Sequence, residues 1–425
     1  MFKLIIYLKQ FLYRLKAKLW FKPTAYCLLA ILGVSICYFL QEFKIFNLYP
    51  KRVTAETVTT LLSIINTSML VVVTFAVGSM ISAYTSASKS GTPRVLTLLL
   101  QDNISKKATS SFIGAFIFGI VATIGVKSNS FNHSGIFLIF VLTISVIGWV
   151  IFTFILWIDS IARLGQIKIL PIITEKQAKS AIDNYIKNPY KSCHILVKDQ
   201  IPENAIPIYS KSYGFLTDID FATLNNFCKE KDTNIYIVKP IGSHLTILDR
   251  VAYIETTKNL KSNDLDQIFD SFILSDERIY SEDPIFCLEL LDEIAGKALS
   301  PGINDPRTAI SVIDSSTRLI DYLLKNNKED SNVIYEKIFM TEIPLEEFIK
   351  SGFEFIRTYG SNNLLVSKKL QASLLHIYKQ ASLESDKKAI LEYTDNCYSQ
   401  ALNELKQGFE QLEFKNYRDS ITPTK

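Results

Sequence analysis

The chain has 425 residues, is 48% hydrophobic and carries a formal net charge of +4, with a mean hydropathy of +0.18. An average so near that of soluble proteins decides little, but charge is sparse between Thr24 and Ser160 and dense afterwards. Much of the basic excess sits before Pro23 rather than on a folded module, which argues against a nucleic-acid partner; the six cysteines are scattered without a CxxC pair, which argues against a disulfide scaffold.

Residues 1–22 place Leu4, Leu8, Phe11, Leu12, Leu15 and Leu19 at helical spacing among Lys3, Lys9, Arg14, Lys16 and Lys18. Such a segment either lies in the headgroup layer on anionic lipid or is a plain basic flank that happens to be helical. Four hydrophobic runs follow, at 25–40, 57–84, 108–126 and 136–158. The first ends in Cys37-Tyr38-Phe39-Leu40-Gln41-Glu42 without a small-residue cleavage site, so it reads as a retained span rather than a signal peptide. The second is uncharged yet rich in Ser, Thr and Asn; at helical rise it is about 42 Å long, more than the ~30 Å hydrocarbon core. All four must be helical, because lipid offers the backbone no hydrogen-bond partner.

Lys and Arg in the flanks set the orientation. The N-terminus, the loop after span two (Lys89, Arg94, Lys106, Lys107) and the segment after span four (Arg163, Lys168) are basic. The other two loops are poorer, with Lys44, Lys51, Arg52 and Lys127. The expectation is that both the N-terminus and everything after span four are cytoplasmic. Asp159, one turn before Arg163, reads as a paired or solvated end residue rather than a mid-bilayer charge.

Residues 169–181 look helical. Between Cys193 and Glu255 short β-type runs (residues 194–197, 205–208, 234–238 and 244–247) alternate with Pro, Gly, Asn and Asp, and one helix at 220–229 is capped by Asp220. Residues 169–280 therefore form a small α/β module. Residues 281–425 read as a mostly helical domain. A helix at 284–299 stops at Ser300-Pro301-Gly302, and the next begins at Asn304-Asp305-Pro306, with Asp305 as N-cap and Pro306 at the first helical position. A strand within 332–340 and helices at 345–359, 364–380 and 385–414 complete the chain, and its last dozen residues are expected to fray. The fold class is a membrane protein with a four-helix transmembrane part, a cytoplasmic α/β module and an α-helical C-terminal domain.

Two places carry candidate chemistry. In span two, Ser63, Thr67, Thr74, Gly78, Ser82 and Thr85 share one helical face, with Asn66 beside it. The stripe either lines a hydrated path or lets helices pack closely with hydroxyls bonding across them, which is the commoner meaning. The other is the corner from Ser300 to Pro306. Ser300, Gly302, Asn304 and Asp305 could act with Arg278, Asp292 and Glu293 as a ligand or ion loop, and free N–H groups at the second helix could hold an anion. Alternatively the corner is only geometric: Pro301 stops one helix, Gly302 supplies a positive φ and Asp305 caps the next. His133, His194, His244 and His376 are dispersed without metal-ligand spacing. No GxSxG, Walker A or GxGxxG occurs. Cys193 and His194 are neighbours in a strand and point to opposite faces. No metal, no cofactor and no enzyme activity is expected.

The runs Phe272-Ile273-Leu274-Ser275-Asp276-Glu277-Arg278, Leu290-Leu291-Asp292-Glu293-Ile294-Ala295 and Ala298-Leu299-Ser300-Pro301-Gly302-Ile303-Asn304-Asp305-Pro306-Arg307-Thr308-Ala309 resemble the bacterial family of predicted membrane proteins called domain of unknown function 2254. So do residues 211–220 and 238–245 and the polar span two leading to Gly91-Thr92-Pro93-Arg94. The likeness covers nearly the whole chain and implies the architecture and a bacterial inner membrane, but no activity. Members commonly carry a histidine near the end of span four, where this chain has Leu156-Trp157, so no histidine-based role carries over. Two functions follow as expectations. The first is an oligomeric channel or transporter-like protein with span two lining the path and a cytoplasmic domain that assembles or gates it. The second is a membrane-anchored sensor or scaffold that binds a small molecule or protein, with the spans as anchor and dimer interface. Its partners would be the lipid bilayer, further copies of itself, and an ion or small molecule that the sequence does not identify.

Overall fold

The computed structural model describes residues 21–42, 53–90, 92, 94, 103–164, 169–197, 200–256, 262–326 and 333–422. The basic amphipathic segment read at 1–22 and the loop lysines at 44 and 51 lie almost entirely outside these. The chain divides into two compact units, one of residues 1–89 and 96–167 and one of residues 90–95 and 168–425.

Among its described residues the first unit holds four helices: α1 (Phe21–Leu40), α2 (Ala55–Ser90), α3 (Asn103–Lys127) and α4 (His133–Leu164). All four are long and apolar enough to cross a membrane. α2 is longer than the apolar run that announces it; its 36 residues span roughly 54 Å at helical rise. α1 packs along α3, and α3 along α4. The α1–α3 approach needs a glycine, since a Cβ on Gly114 would stand 2.9 Å from Cβ of Tyr26. α2 joins through larger side chains. Val58 and Leu62 share a core with Phe118 and Ala122, and Ile65, Met69 and Ala76 share a second with Phe112, Ala115 and Trp157. Buried Gln41 pins the turn between α3 and α4, accepting from Asn132 N at 2.9 Å, and Asn132 Oδ1 in turn accepts from Gly135 N at the start of α4.

The second unit holds α5 (Ile169–Lys187), β1 (Cys193–Leu196), β2 (Ile206–Tyr209), β3 (Gly214–Ile219), α6 (Phe221–Lys231), β4 (Asn234–Ile237), β5 (His244–Leu245), β6 (Arg250–Glu255), α7 (Ser262–Phe269), β7 (Phe272–Ser275), α8 (Pro284–Ala298), α9 (Pro306–Asn326), β8 (Tyr335–Thr341), α10 (Leu345–Gly360), α11 (Leu364–Gln380), α12 (Glu384–Glu404) and α13 (Gly408–Ile421). The four expected β runs, the expected strand near 340 and the helix capped by Asp220 are all present; Asp220 Oδ1 accepts from Thr223 N at 3.0 Å. β3, β6, β7 and α7 are additional. A five-stranded sheet has the order β1-β8-β4-β6-β2 and a three-stranded one the order β5-β3-β7. β8 is parallel to both its neighbours. The two sheets and α6 enclose one core, with Ile235, Ile254, Ile338 and Met340 from the larger sheet, Leu216 and Phe272 from the smaller, and Leu224 and Phe227 from α6.

The expected boundary at 280 runs through this unit. β8 comes from the helical part of the sequence, yet sits inside the sheet between β1 and β4. α5, from the other side of that boundary, packs on α8 and α9. A second difference concerns the helix expected at 385–414. It is two helices, broken at Leu405, whose extended backbone (φ −64°, ψ 118°) ends α12. α13 then folds back on α11 and stays helical to Ile421 instead of fraying. Arg418, 7% exposed, holds it there by donating to Gln371 Oε1 and, at 2.6 Å, to Asp395 Oδ1.

Candidate functional site

On α2 the proposed stripe splits from its companion. Ser63, Thr67, Thr74, Gly78, Ser82 and Thr85 are all exposed, whereas Val58, Leu62, Ile65, Met69, Ala76 and Ala83 are buried. At about 100° per residue these two sets lie on roughly opposite sides of the helix. The stripe therefore does not pack on α1, α3 or α4, and a Cβ on Gly78 would meet no atom within 4 Å. The hydroxyls of Thr67, Thr74 and Thr85 donate to the carbonyls of Ser63 (3.0 Å), Leu70 (2.9 Å) and Ile81 (2.8 Å). Each donor is thus satisfied within the helix, and the remaining oxygen lone pairs face outward. Asn66 is different. Its side chain turns inward onto α3, and a Cβ on Gly119 would stand 2.0 Å from Asn66 Oδ1, an atom buried without a hydrogen-bond partner. Asn66 belongs to helix packing and not to the outward face.

In the second unit the expected ligand loop does not converge. Asp292, on α8, is 1% exposed and accepts from Phe355 N (2.5 Å) and Ile356 N (3.0 Å), pinning α10 to α8. Burial pushes its carboxyl well up, against the pull of these donors. Ser300, Gly302, Asn304 and Asp305 form the geometric corner. Asp305 Oδ1 accepts from Arg307 N and Thr308 N, each at 3.1 Å, and Thr308 Oγ1 donates to Asp305 Oδ2 at 2.6 Å. The donors that an anion would need at the start of α9 are already engaged. The positive φ falls on Asn304 (49°) and not, as expected, on Gly302, whose absent Cβ would point into open space. Asn tolerates this conformation better than most residues.

Arg278 gathers a cluster that the sequence does not announce. Its guanidinium forks onto Asp283 (Nε–Oδ2 2.6 Å, Nη2–Oδ1 2.9 Å) and reaches Glu289 Oε2 at 2.6 Å. It also lies over the Phe286 ring, 4.7 Å from its centre, with the Phe215 centre at 5.9 Å. Asp283 Oδ1 in addition caps α8, accepting from Phe286 N at 2.9 Å, so Asp283-Pro284 repeats the helix-start signature of Asp305-Pro306. Burial opposes the Arg278 charge, but the bonds and field of Asp283 and Glu289 hold its pKa above the usual value. Burial raises Glu289, and Arg278 draws it back. Gly242, at φ 95°, leaves room for this network, since a Cβ there would stand 2.3 Å from Asp283 Oδ2.

Beside the cluster docks the segment that continues α2. Arg94 Nη1 meets Glu293 Oε1 at 2.5 Å, and Tyr280 Oη donates to the Arg94 carbonyl at 2.9 Å. Tyr280 stacks on Phe286, with ring centres 4.9 Å apart, and its carbonyl accepts from the Cys287 thiol at 3.3 Å. Of the expected ligand residues, Arg278 and Glu293 thus serve docking and structure. Among the described residues no group of three His, Cys, Asp or Glu is placed to hold a metal ion.

Comparison with known proteins agrees with this architecture. An uncharacterized protein of Mycobacterium tuberculosis is 25% identical over 173 residues, which cover 39% of this chain and 33% of that protein. The chain thus spans about a third of the length of that relative. No solved structure matches. A family model described as a predicted membrane protein, domain of unknown function 2254, matches residues 16–376. With four helices fit to cross a membrane and most of its length matched, the chain belongs to that family of membrane proteins.

Proposed function

We propose that the protein is an oligomeric membrane channel or transporter-like protein in which α2 faces the symmetry axis. One observation carries this reading: the hydroxyl and glycine stripe of Ser63, Thr67, Thr74, Gly78 and Ser82 is exposed, on the side of α2 away from the other spans. From Ser63 to Thr85 the stripe runs roughly 33 Å, about the thickness of the hydrocarbon core. Four spans of one chain could hardly enclose a pore alone, so the path is placed between copies. Outward lone pairs on back-bonded hydroxyls suit a hydrated, cation-tolerant lining. The second unit is assigned to the cytoplasm by the basic flanks. Within that unit Arg94–Glu293 and Tyr280–Arg94 hold Arg94, four residues past the end of α2, and gating of the path is the role assigned to this unit. For the alternative, a membrane-anchored sensor or scaffold that binds a small molecule or protein, the corner at Ser300–Asp305 adds nothing, because its groups make capping bonds.

The test is ion flux through the purified protein in liposomes, with its oligomeric mass measured in detergent. Flux from a closed oligomer that changes with Thr67→Val or Thr74→Val supports the proposal. A monomer or dimer in a tight bilayer refutes it.

A further inference from the structure

α1, α3 and α4 do not close completely on one another. Between them lies a slot of about 180 Å³, walled by Leu29 and Gly33 of α1, Gly114 and Phe118 of α3, and Leu142 and Trp149 of α4. Its walls are almost all carbon. Ser111 is the polar exception; it is 2% exposed, and its Oγ accepts from Trp149 Nε1 at 3.2 Å. From Ser111 to Phe118 the slot follows α3 for roughly 10 Å of helical rise. Gly33 and Gly114 keep it open, because side chains there would project into it or into Tyr26.

The two ends of the slot differ in chemistry. The deep end is apolar. At the shallow end Lys107 Nζ stands 5.3 Å from the centre of the Trp149 ring, and Lys22 lies one turn before Tyr26 on the same face of α1. Trp149 is 43% exposed, and its ring lies beside Lys107 and Ser111, at the start of the apolar run of α3. An apolar slot this size holds no water, for want of polar partners. Open to hydrocarbon, it takes hydrocarbon. A cationic mouth above such a slot matches the order of groups in an anionic phospholipid, phosphate outermost and acyl chain below.

We propose that this slot is a binding site for one anionic membrane phospholipid, its acyl chain between α1, α3 and α4 and its phosphate at Lys107 and Lys22. The lipid fills a gap that the three helices leave and contacts both α1 and α4, so its occupancy sets how tightly those spans are held.

The test uses the full chain in phosphatidylcholine vesicles doped with an equal mole fraction of either acyl-brominated phosphatidylglycerol or acyl-brominated phosphatidylcholine. Bromine quenches a nearby indole, and the part due to Trp149 is the difference between the wild type and Trp149→Phe. The anionic lipid is expected to be preferred at Trp149 by up to about 25-fold, about fivefold for each of the two lysines. Lys107→Gln should abolish most of the preference and Lys107→Arg should keep it, which separates charge loss from misfolding. Gly33→Leu should fill the slot and remove the preference between the two lipids; the Cβ position at Gly33 meets only Leu142 Cδ2, at 3.5 Å, so the backbone accepts it. Equal quenching by the two lipids in the wild type overturns the site. So does a headgroup preference that survives Gly33→Leu, because surface charge alone would then explain it.

Discussion

Replacing Arg278 by alanine removes the centre of a network that is almost closed to solvent; the Arg278 side chain is 12% exposed and that of Asp283 2%. Three charge-assisted bonds go at once, and Asp283 and Glu289 lose the cation they share. Removing one partner of a buried ion pair costs about 3–5 kcal/mol. Cys287 offers a local probe. Its thiol is fully buried, burial holds its pKa far above the usual thiol value, and it donates to the Tyr280 carbonyl inside the same cluster. A maleimide reaches it only when the cluster opens. At about 1.4 kcal/mol per factor of ten, Arg278→Ala should speed Cys287 labelling by roughly two to three and a half orders of magnitude, read by mass spectrometry of the labelled peptide. Arg278→Lys keeps the charge but loses the fork and should fall between. Gly242→Ala should open the same cluster without touching a charge, through its positive φ and its collision with Asp283. Labelling of Arg278→Ala within a factor of a few of the wild type would sink the argument, since the network would then contribute nothing to closure.

Asp292→Ala should strip the acceptor from Phe355 N and Ile356 N and cost about 2–6 kcal/mol, roughly 1–3 for each amide; hydrogen exchange of the peptide spanning those amides should accelerate, and unchanged protection would show that α10 does not depend on it. Glu175 is a depressed carboxylate. Burial acts to raise it, but Arg318 (2.9 and 2.8 Å) and Ser315 (2.7 Å) together hold it below 4.5. A folded pKa below the unfolded one gives stability that is present at neutral pH and lost as pH falls through the folded value. The thermal midpoint should therefore drop more steeply in the wild type than in Glu175→Gln as the solution is acidified through and below the usual carboxylate range. In the membrane unit, Gly119→Leu should overpack the α2–α3 contact by about 1–3 kcal/mol, and Asn66→Ala should restore part of the loss by vacating the space. Additive losses in that double variant would place Asn66 elsewhere.

What could be read from the sequence was whatever local physics decides. The spans are long uncharged runs, and they appear as helices at nearly the expected limits. Asp220, Asn304-Asp305-Pro306 and the break at Gly360 to Asn363 act through neighbours three or four residues away, and each cap or stop is where its residue types place it. Pairing across the chain was not legible. Nothing in Tyr335–Thr341 marks it as the strand between β1 and β4, because register depends on partners more than a hundred residues distant. β3 hides behind Thr217 and Asp218, which interrupt an otherwise apolar run. The Arg278 cluster was half visible. Arg278 stood out, but its partners Asp283 and Glu289 and the arrival of Arg94 near Glu293 needed the fold. That the hydroxyls share one side of α2 was written in their spacing; that this side faces away from the other spans was not, nor that Asn66 leaves it, since the glycine admitting Asn66 lies on α3.

The strand order of the larger sheet bears on how the chain is made. Among the described residues β1 pairs with β8 and with no other strand, although more than a hundred residues separate them. During synthesis β4, β6 and β2 can associate as soon as they leave the ribosome. β1 cannot, and it waits with unpaired backbone groups while α8 and α9 form. The last strand translated therefore closes the sheet from its middle. A nascent chain halted before residue 341 has α6 and most of the core, but presents β4 as a naked edge, the kind of edge that recruits other strands. Any shortened form of this protein ending ahead of β8 inherits that exposure as a permanent property.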